Sequence, residues 1–269
     1  MENCPRLYLD LLRRSLTNTI YADKEIIPVP PNTALKRLLI KIAGLRGIQL
    51  VHPKKLNLAA RAEGTDWPLY GQTMLSNGRL DNIQQCVETV LEEGIPGDLI
   101  ETGVWRGGAA ILMRGILKAY GDTERTVWVA DSFAGLPPPD PNVPQDASIP
   151  YHTFHELAIS LEEVQGNFDR YGLLDGQVRF LKGWFKDTLP TAPLERLAVM
   201  RLDGDMYEST MDGLNALYPK LSVGGFVIID DYGSLEPCRQ AVIDYREKHG
   251  IQEPIQTIDF AGVYWRRTA

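Results

Sequence analysis

From residue 78 onward the apolar positions keep a regular beat. Leu80, Ile83, Val87 and Val90 recur at the three- and four-residue spacing of one helix face, and Gly94 supplies a stop. Residues 98–101 then predict a short strand, followed by a glycine-rich turn and a helix over 109–120. Residues 126–130 predict a second strand. Ser160 and Glu163 form a capping box ahead of Leu161, Val164, Phe168 and Tyr171, which share one helix face and end at Gly172. Strands follow at 177–181 and 197–202, a helix at 210–221, and a fifth strand at 226–229. A last helix runs from Pro237 to Gly250, and 255–259 with 263–266 predict a closing hairpin. Alternating strands and helices over 78–250 predict an α/β fold: a mostly parallel sheet covered by helices on both faces, with one antiparallel strand added by the hairpin.

The first 75 residues break this beat. They hold helix patterns at 5–16 and 33–43, separated by Pro28, Pro30 and Pro31. The expectation is a helical cap over 1–75, followed by a main domain over 76–269. Within that domain 135–159 carries six of the eighteen prolines and no period. It is too long for a routine connection, so it reads as a disordered stretch or a lid over a site.

Composition narrows the function classes. The 269 residues carry 28 Lys and Arg against 35 Asp and Glu, a formal charge of −7. That balance argues against a general nucleic-acid binder. Cys4, Cys86 and Cys238 are odd in number and widely spaced, with no CxxC pair, so neither a disulfide framework nor a zinc site is expected. The N-terminus lacks the pattern of a signal peptide, and no apolar run is long enough to span a bilayer. The expectation is a cytoplasmic protein with no membrane or nucleic-acid partner.

Ligands of open α/β sheets bind beyond the carboxyl ends of the strands. The first strand ends in Glu101-Thr102-Gly103-Val104-Trp105-Arg106-Gly107-Gly108. Its glycines allow close backbone approach, and Glu101 offers an acceptor for an ammonium group; the competing reading is a turn with no ligand. Asp131 follows thirty residues later, one βαβ unit on, where a carboxylate can accept both ribose hydroxyls. Together the two shift the reading toward an adenosine-type ligand. Asp203 and Asp205 follow the fourth strand, and Asp230 and Asp231 the fifth. Four converging carboxylates repel unless a cation neutralises them, and an all-oxygen set suits Mg²⁺. The alternative is a set of solvated turn aspartates. His152 and His155 stand three apart in the proline-rich stretch and read as solvated loop residues more readily than as ligands.

The segments DLIETGVWRGGAA, VADSFAGLPPPD, FLKGWFKDTLP, RLDGDMYEST and FVIIDDYG, in this order over roughly residues 65–267, resemble the macrocin O-methyltransferase family. That resemblance implies a class I S-adenosylmethionine-dependent methyltransferase fold, Mg²⁺, and a sugar hydroxyl acceptor on a glycosylated secondary metabolite. It implies Glu101 and Gly103 beside the methionyl part of the donor and Asp131 on the ribose. It further implies Ser132, Gly183 and Trp184 on the adenine side, and Thr73 and Met74 in a stretch folded over the cofactor. Asp203, Asp230 and Asp231 match metal ligands, and Asp205 matches the base, with His155 next in line. A phenol or catechol acceptor would use the same metal chemistry, and a non-catalytic donor-binding module is the rival from another class. Exposed apolar helices in the first 75 residues also point to a homodimer.

Overall fold

A computed structural model describes residues 4–21 and 24–269. Seven strands form the main sheet: β3 (Asp98–Thr102), β4 (Val127–Asp131), β5 (Val178–Lys182), β6 (Leu197–Leu202), β7 (Leu221–Ile229), β8 (Gln256–Thr257) and β9 (Val263–Arg266). Their order is β5-β4-β3-β6-β7-β9-β8. The first five run parallel, and β9 pairs antiparallel with both β7 and β8. The expected doubly covered sheet with a terminal hairpin is what forms.

The strands are apolar on both sides because both faces are buried. Leu99, Val127 and Val129 face one core, which holds α4 (Asn77–Glu92), α5 (Gly108–Ala119) and α6 (Leu161–Arg170). Ile100, Trp128, Ala130 and Met200 face the other, against α8 (Tyr207–Leu217) and α9 (Glu236–His249). Two element boundaries differ from the sequence expectation. The helix expected to reach 221 ends at Leu217, because Pro219 has no N–H to donate to the carbonyl four residues back, and a 3₁₀ turn takes over. The strand expected over 255–259 stops at Thr257. Asp259 is a turn residue there, its Oδ1 accepting from the backbone N–H groups of Ala261 (2.9 Å) and Gly262 (2.7 Å).

The N-terminal residues do not share one environment. α1 (Cys4–Leu16) packs on α5 and buries Leu9, Leu12 and Leu16 in the main core. β1 (Lys24–Pro28) and β2 (Val51–Lys55) form a separate antiparallel pair, which the sequence pattern did not predict. Between them lies α2 (Ala34–Gly44), which buries no residue. α3 (Leu58–Glu63) returns the chain to the body through Arg61, whose buried guanidinium pairs with Glu25 and Asp66. The proline-rich stretch after β4 folds as extended chain and three 3₁₀ turns, at Pro144–Asp146, Tyr151–Thr153 and His155–Leu157.

Candidate active site

The parallel ladder continues one residue beyond the strands and aligns their ends. The backbone N–H of Asp203 donates to Thr102 O, that of Asp230 to Leu202 O, and that of Gly183 to Asp131 O, at 2.9–3.0 Å. Glu101, Asp131, Asp203, Asp230 and Asp231 therefore meet at one sheet edge, where they line a cavity of about 650 Å³. Gly103 is required for this convergence. Its φ is +77°, and a Cβ there would stand 1.8 Å from the carbonyl oxygen of Asp203. Gly108, at the start of α5, lets the 72–73 backbone lie equally close: an added Cβ would fall 2.4 Å from Gln72 O.

One half of the cavity carries Glu101 and Asp131. Glu101 is buried, and its Oε1 accepts from Arg201 at 2.5 Å. Its Oε2 has no partner. Burial pushes the carboxyl up to about 8, so a cationic ligand that pairs with Oε2 would relieve a real penalty. Asp131 is fixed by the backbone N–H groups of Val104 (2.8 Å) and Phe133 (2.7 Å). Phe133 itself adopts φ +55° to make that contact. Ser132 donates to Gly135 O at 2.6 Å, which turns the proline-rich stretch over the cavity. Thr73, Met74 and Trp184 line the cavity, while Gly183 is not among its lining residues and stands against Thr188.

The other half is acidic. Carboxylate oxygens of Asp203, Asp205 and Asp231 all lie within 4.8 Å of one another. Burial, together with their mutual repulsion, raises all three carboxyls, Asp203 to about 6. Asp231 Oδ2 has no hydrogen-bond partner. Asp205 holds φ +57°, which brings its side chain back into the cluster. This donor set fits a hard divalent cation. Asp230 is bound differently. Its Oδ1 accepts from Arg201 at 2.5 Å and its Oδ2 from Arg79 at 2.6 Å. Taking a metal-ligand role would require one arginine to yield.

Four residues that hold the site were not singled out from sequence. Arg201 sits one residue before the carboxyl end of the otherwise apolar β6 and bridges Glu101, Asp203 and Asp230. Arg79 joins Asp230 to Asp259, which also accepts from Ser76 Oγ at 2.5 Å. Asp146, fully buried, accepts from the first N–H groups of α8, Tyr207 N at 2.6 Å and Glu208 N at 3.0 Å. Arg106 donates to the carbonyls of Pro68, Leu69 and Gly71 and so clamps the stretch leading to Thr73. Trp105, within the same glycine loop, donates from its indole to Glu156 O at 2.9 Å. His152 and His155 are exposed and do not line the cavity.

Comparison with known proteins agrees with this architecture. The chain matches the Macrocin-O-methyltransferase (TylF) family over residues 5–267. It is 52% identical to a Streptomyces olivaceus 8-demethyl-8-(2,3-dimethoxy-alpha-L-rhamnosyl)-tetracenomycin-C 4'-O-methyltransferase, covering 100% of this chain and 95% of that protein. It is also 52% identical to the Mycinamicin III 3''-O-methyltransferase of Micromonospora griseorubida, covering 98% of this chain and 97% of that protein. The solved structure of the O-methyltransferase NovP superposes with a TM-score of 0.85 at 49% identity, over 98% of this chain and 100% of that one. With a family match spanning nearly the whole chain and a fold and strand-end site to go with it, this protein belongs to the macrocin O-methyltransferase family and has the class I methyltransferase fold.

Proposed function

We propose that the protein transfers a methyl group from S-adenosylmethionine to a sugar hydroxyl of a glycosylated secondary metabolite, with Mg²⁺ at the acidic cluster. The observation that carries this reading is the pairing, in one cavity, of a cation-seeking Glu101 with the Asp203, Asp205 and Asp231 cluster. Glu101 would take the ammonium of the donor, Asp131 its ribose, and Trp184 with Ser132 its adenine, with Thr73 and Met74 closing the other side. Asp203 and Asp231, with Asp230 once Arg79 or Arg201 yields, would hold Mg²⁺, and Asp205 would take the proton from the acceptor. The tetracenomycin-C relative named above, whose name gives a rhamnosyl substrate, supports a sugar acceptor.

The chemistry is an in-line displacement at the sulfonium methyl by an oxygen nucleophile. A sugar hydroxyl ionises only at high pH, and Mg²⁺ held by the aspartate cluster would supply the Lewis acidity that lowers that pKa. This chain's residues do the rest. Asp205 lies in the carboxylate cluster and so within reach of a hydroxyl held there. Arg79 and Arg201 hold Asp230 and spread positive charge behind the aspartates, which keeps four carboxylates from forcing each other apart. Release of S-adenosylhomocysteine, followed across glycosides with and without a vicinal diol and across catechols, tests the acceptor class. Turnover confined to vicinal-diol glycosides supports it; turnover confined to catechols refutes it.

A further inference from the structure

Phe260 is 56% exposed and lines the cavity. Single exposed apolar residues are ordinary on a protein surface. What distinguishes this one is how the turn that carries it, between β8 and β9, is held. Asp259 Oδ1 accepts from the backbone N–H groups of Ala261 and Gly262. Its Oδ2 accepts from Ser76 Oγ at 2.5 Å and from Arg79 Nε at 3.0 Å. The backbone N–H of Gly233 donates to Ala261 O at 2.7 Å. A Cβ on Gly233 would stand 2.1 Å from Phe260 O, so the turn packs backbone to backbone on the segment that follows Asp231. Asp259 and Gly262 satisfy the turn by themselves, and nothing in its geometry calls for an aromatic ring. Arg79 fixes where that ring stands. Its guanidinium carbon lies 5.8 Å from the ring centroid, and its Nη1 donates to Asp230 Oδ2 at 2.6 Å. The ring therefore stands beside the acidic half of the cavity.

We infer that Phe260 is a specificity-determining residue: its ring receives the C–H face of the acceptor sugar while the sugar's hydroxyl edge meets the aspartate cluster. This rests on the proposed sugar acceptor and says what, besides the carboxylates, recognises it. A sugar ring has two unlike surfaces, a rim of hydroxyls and faces made of C–H bonds. The rim suits carboxylates and a cation, and a C–H face suits the negative face of an aromatic ring. Covering the exposed ring with a sugar also removes apolar area from water without demanding a hydrogen bond. Because the turn is already fixed by Asp259, Arg79 and Gly233, little freedom is lost when the sugar lands, so the contact orients as well as attracts. A C–H face takes no part in methyl transfer. Its contact with the ring is the same in the ground and transition states, so it lowers KM and leaves kcat unchanged.

Steady-state kinetics and titration calorimetry on the full chain test this with Phe260→Ala, Phe260→Leu and Phe260→Trp. The acceptors are two glycosides that share one sugar, one with an aliphatic and one with an aromatic aglycone. Phe260→Ala should raise KM roughly three- to tenfold for both, the range expected for a lost aromatic contact. Its kcat and its S-adenosylhomocysteine affinity should stay within about twofold of the natural chain, as loss of uniform binding requires. Phe260→Trp should keep a KM close to the natural one, and Phe260→Leu, apolar but without a ring, should resemble Phe260→Ala. An unchanged KM in Phe260→Ala overturns the proposal, and so does a Phe260→Leu that matches the natural chain. A KM rise confined to the aromatic aglycone assigns the ring to the aglycone and also overturns it. An equal loss of S-adenosylhomocysteine affinity in Phe260→Ala marks a structural role and overturns it as well. A natural chain that methylates neither glycoside refutes the sugar acceptor itself, and the inference with it.

Discussion

Asp146 offers a sharp test of how the proline-rich stretch is held. It lies 61 residues from the helix it caps, and both its oxygens accept N–H groups at the start of α8, at 2.6 and 3.0 Å. The side chain is fully buried, so water cannot replace it. Asp146→Ala leaves two helix-terminal donors unpaired and removes a charge favoured by the helix dipole. Loss of a cap costs about 0.5–2 kcal/mol, and a buried unpaired donor about 1–3 kcal/mol. The combined expectation is about 2–4 kcal/mol. At roughly 2–4 °C per kcal/mol for a chain of this size, Tm falls by about 4–16 °C. Asp146→Asn keeps one acceptor and should lose about half as much. α8 starts just after Asp205, so KM for the acceptor should rise, while S-adenosylhomocysteine affinity changes less than about twofold. Calorimetric melting and steady-state kinetics measure both. A Tm drop under 2 °C in Asp146→Ala would refute the cap as the anchor of this stretch.

Three further outcomes separate the roles of the carboxylates. Asp203→Asn and Asp231→Asn should weaken Mg²⁺ binding by tenfold or more in titration calorimetry, with activity partly restored by excess Mg²⁺. Asp205→Asn should retain donor binding and lose roughly 10²–10⁴-fold in kcat, the usual range for a positioned base, with no rescue by added metal. The Glu101 carboxyl, raised by burial to about 8, favours its protonated form in the folded chain, so its contribution to stability is present at acid pH and is lost as pH rises through about 8. A ligand ammonium needs the ionised form; the thermal shift given by S-adenosylhomocysteine should therefore be larger at pH 8.5 than at pH 6.5, and Glu101→Gln should flatten that difference.

Much of this site could be read from sequence because strand ends in a parallel sheet are set by local pattern. Glu101, Asp131, Asp203, Asp230 and Asp231 each follow a short apolar run, and parallel pairing brings such runs into register. What escaped depends on distant pairing. Arg201 carried a signal, a charge inside the apolar run of β6, and Arg79 another, since it shares a helix face with Ile83, Cys86 and Val90. Neither signal names its partner. Asp146 gave none, because capping α8 from a stretch without period is visible only once both are folded. The β1–β2 pair was likewise hidden: its second strand is exposed throughout and contains Pro53, so it has no alternating pattern to read. The same pattern reading carried the helix of residues 210–221 through Pro219, whose missing N–H ends the α-helical ladder.

The most direct test of the whole account is methyl transfer from isotopically labelled S-adenosylmethionine to a vicinal-diol glycoside, measured in excess chelator and again after Mg²⁺ is restored. The account predicts label on a sugar oxygen, loss of transfer by at least 10²-fold in chelator, and full recovery with Mg²⁺. Transfer that proceeds undiminished in chelator would contradict it, because the clustered Asp203, Asp205 and Asp231 would then have no role in the chemistry.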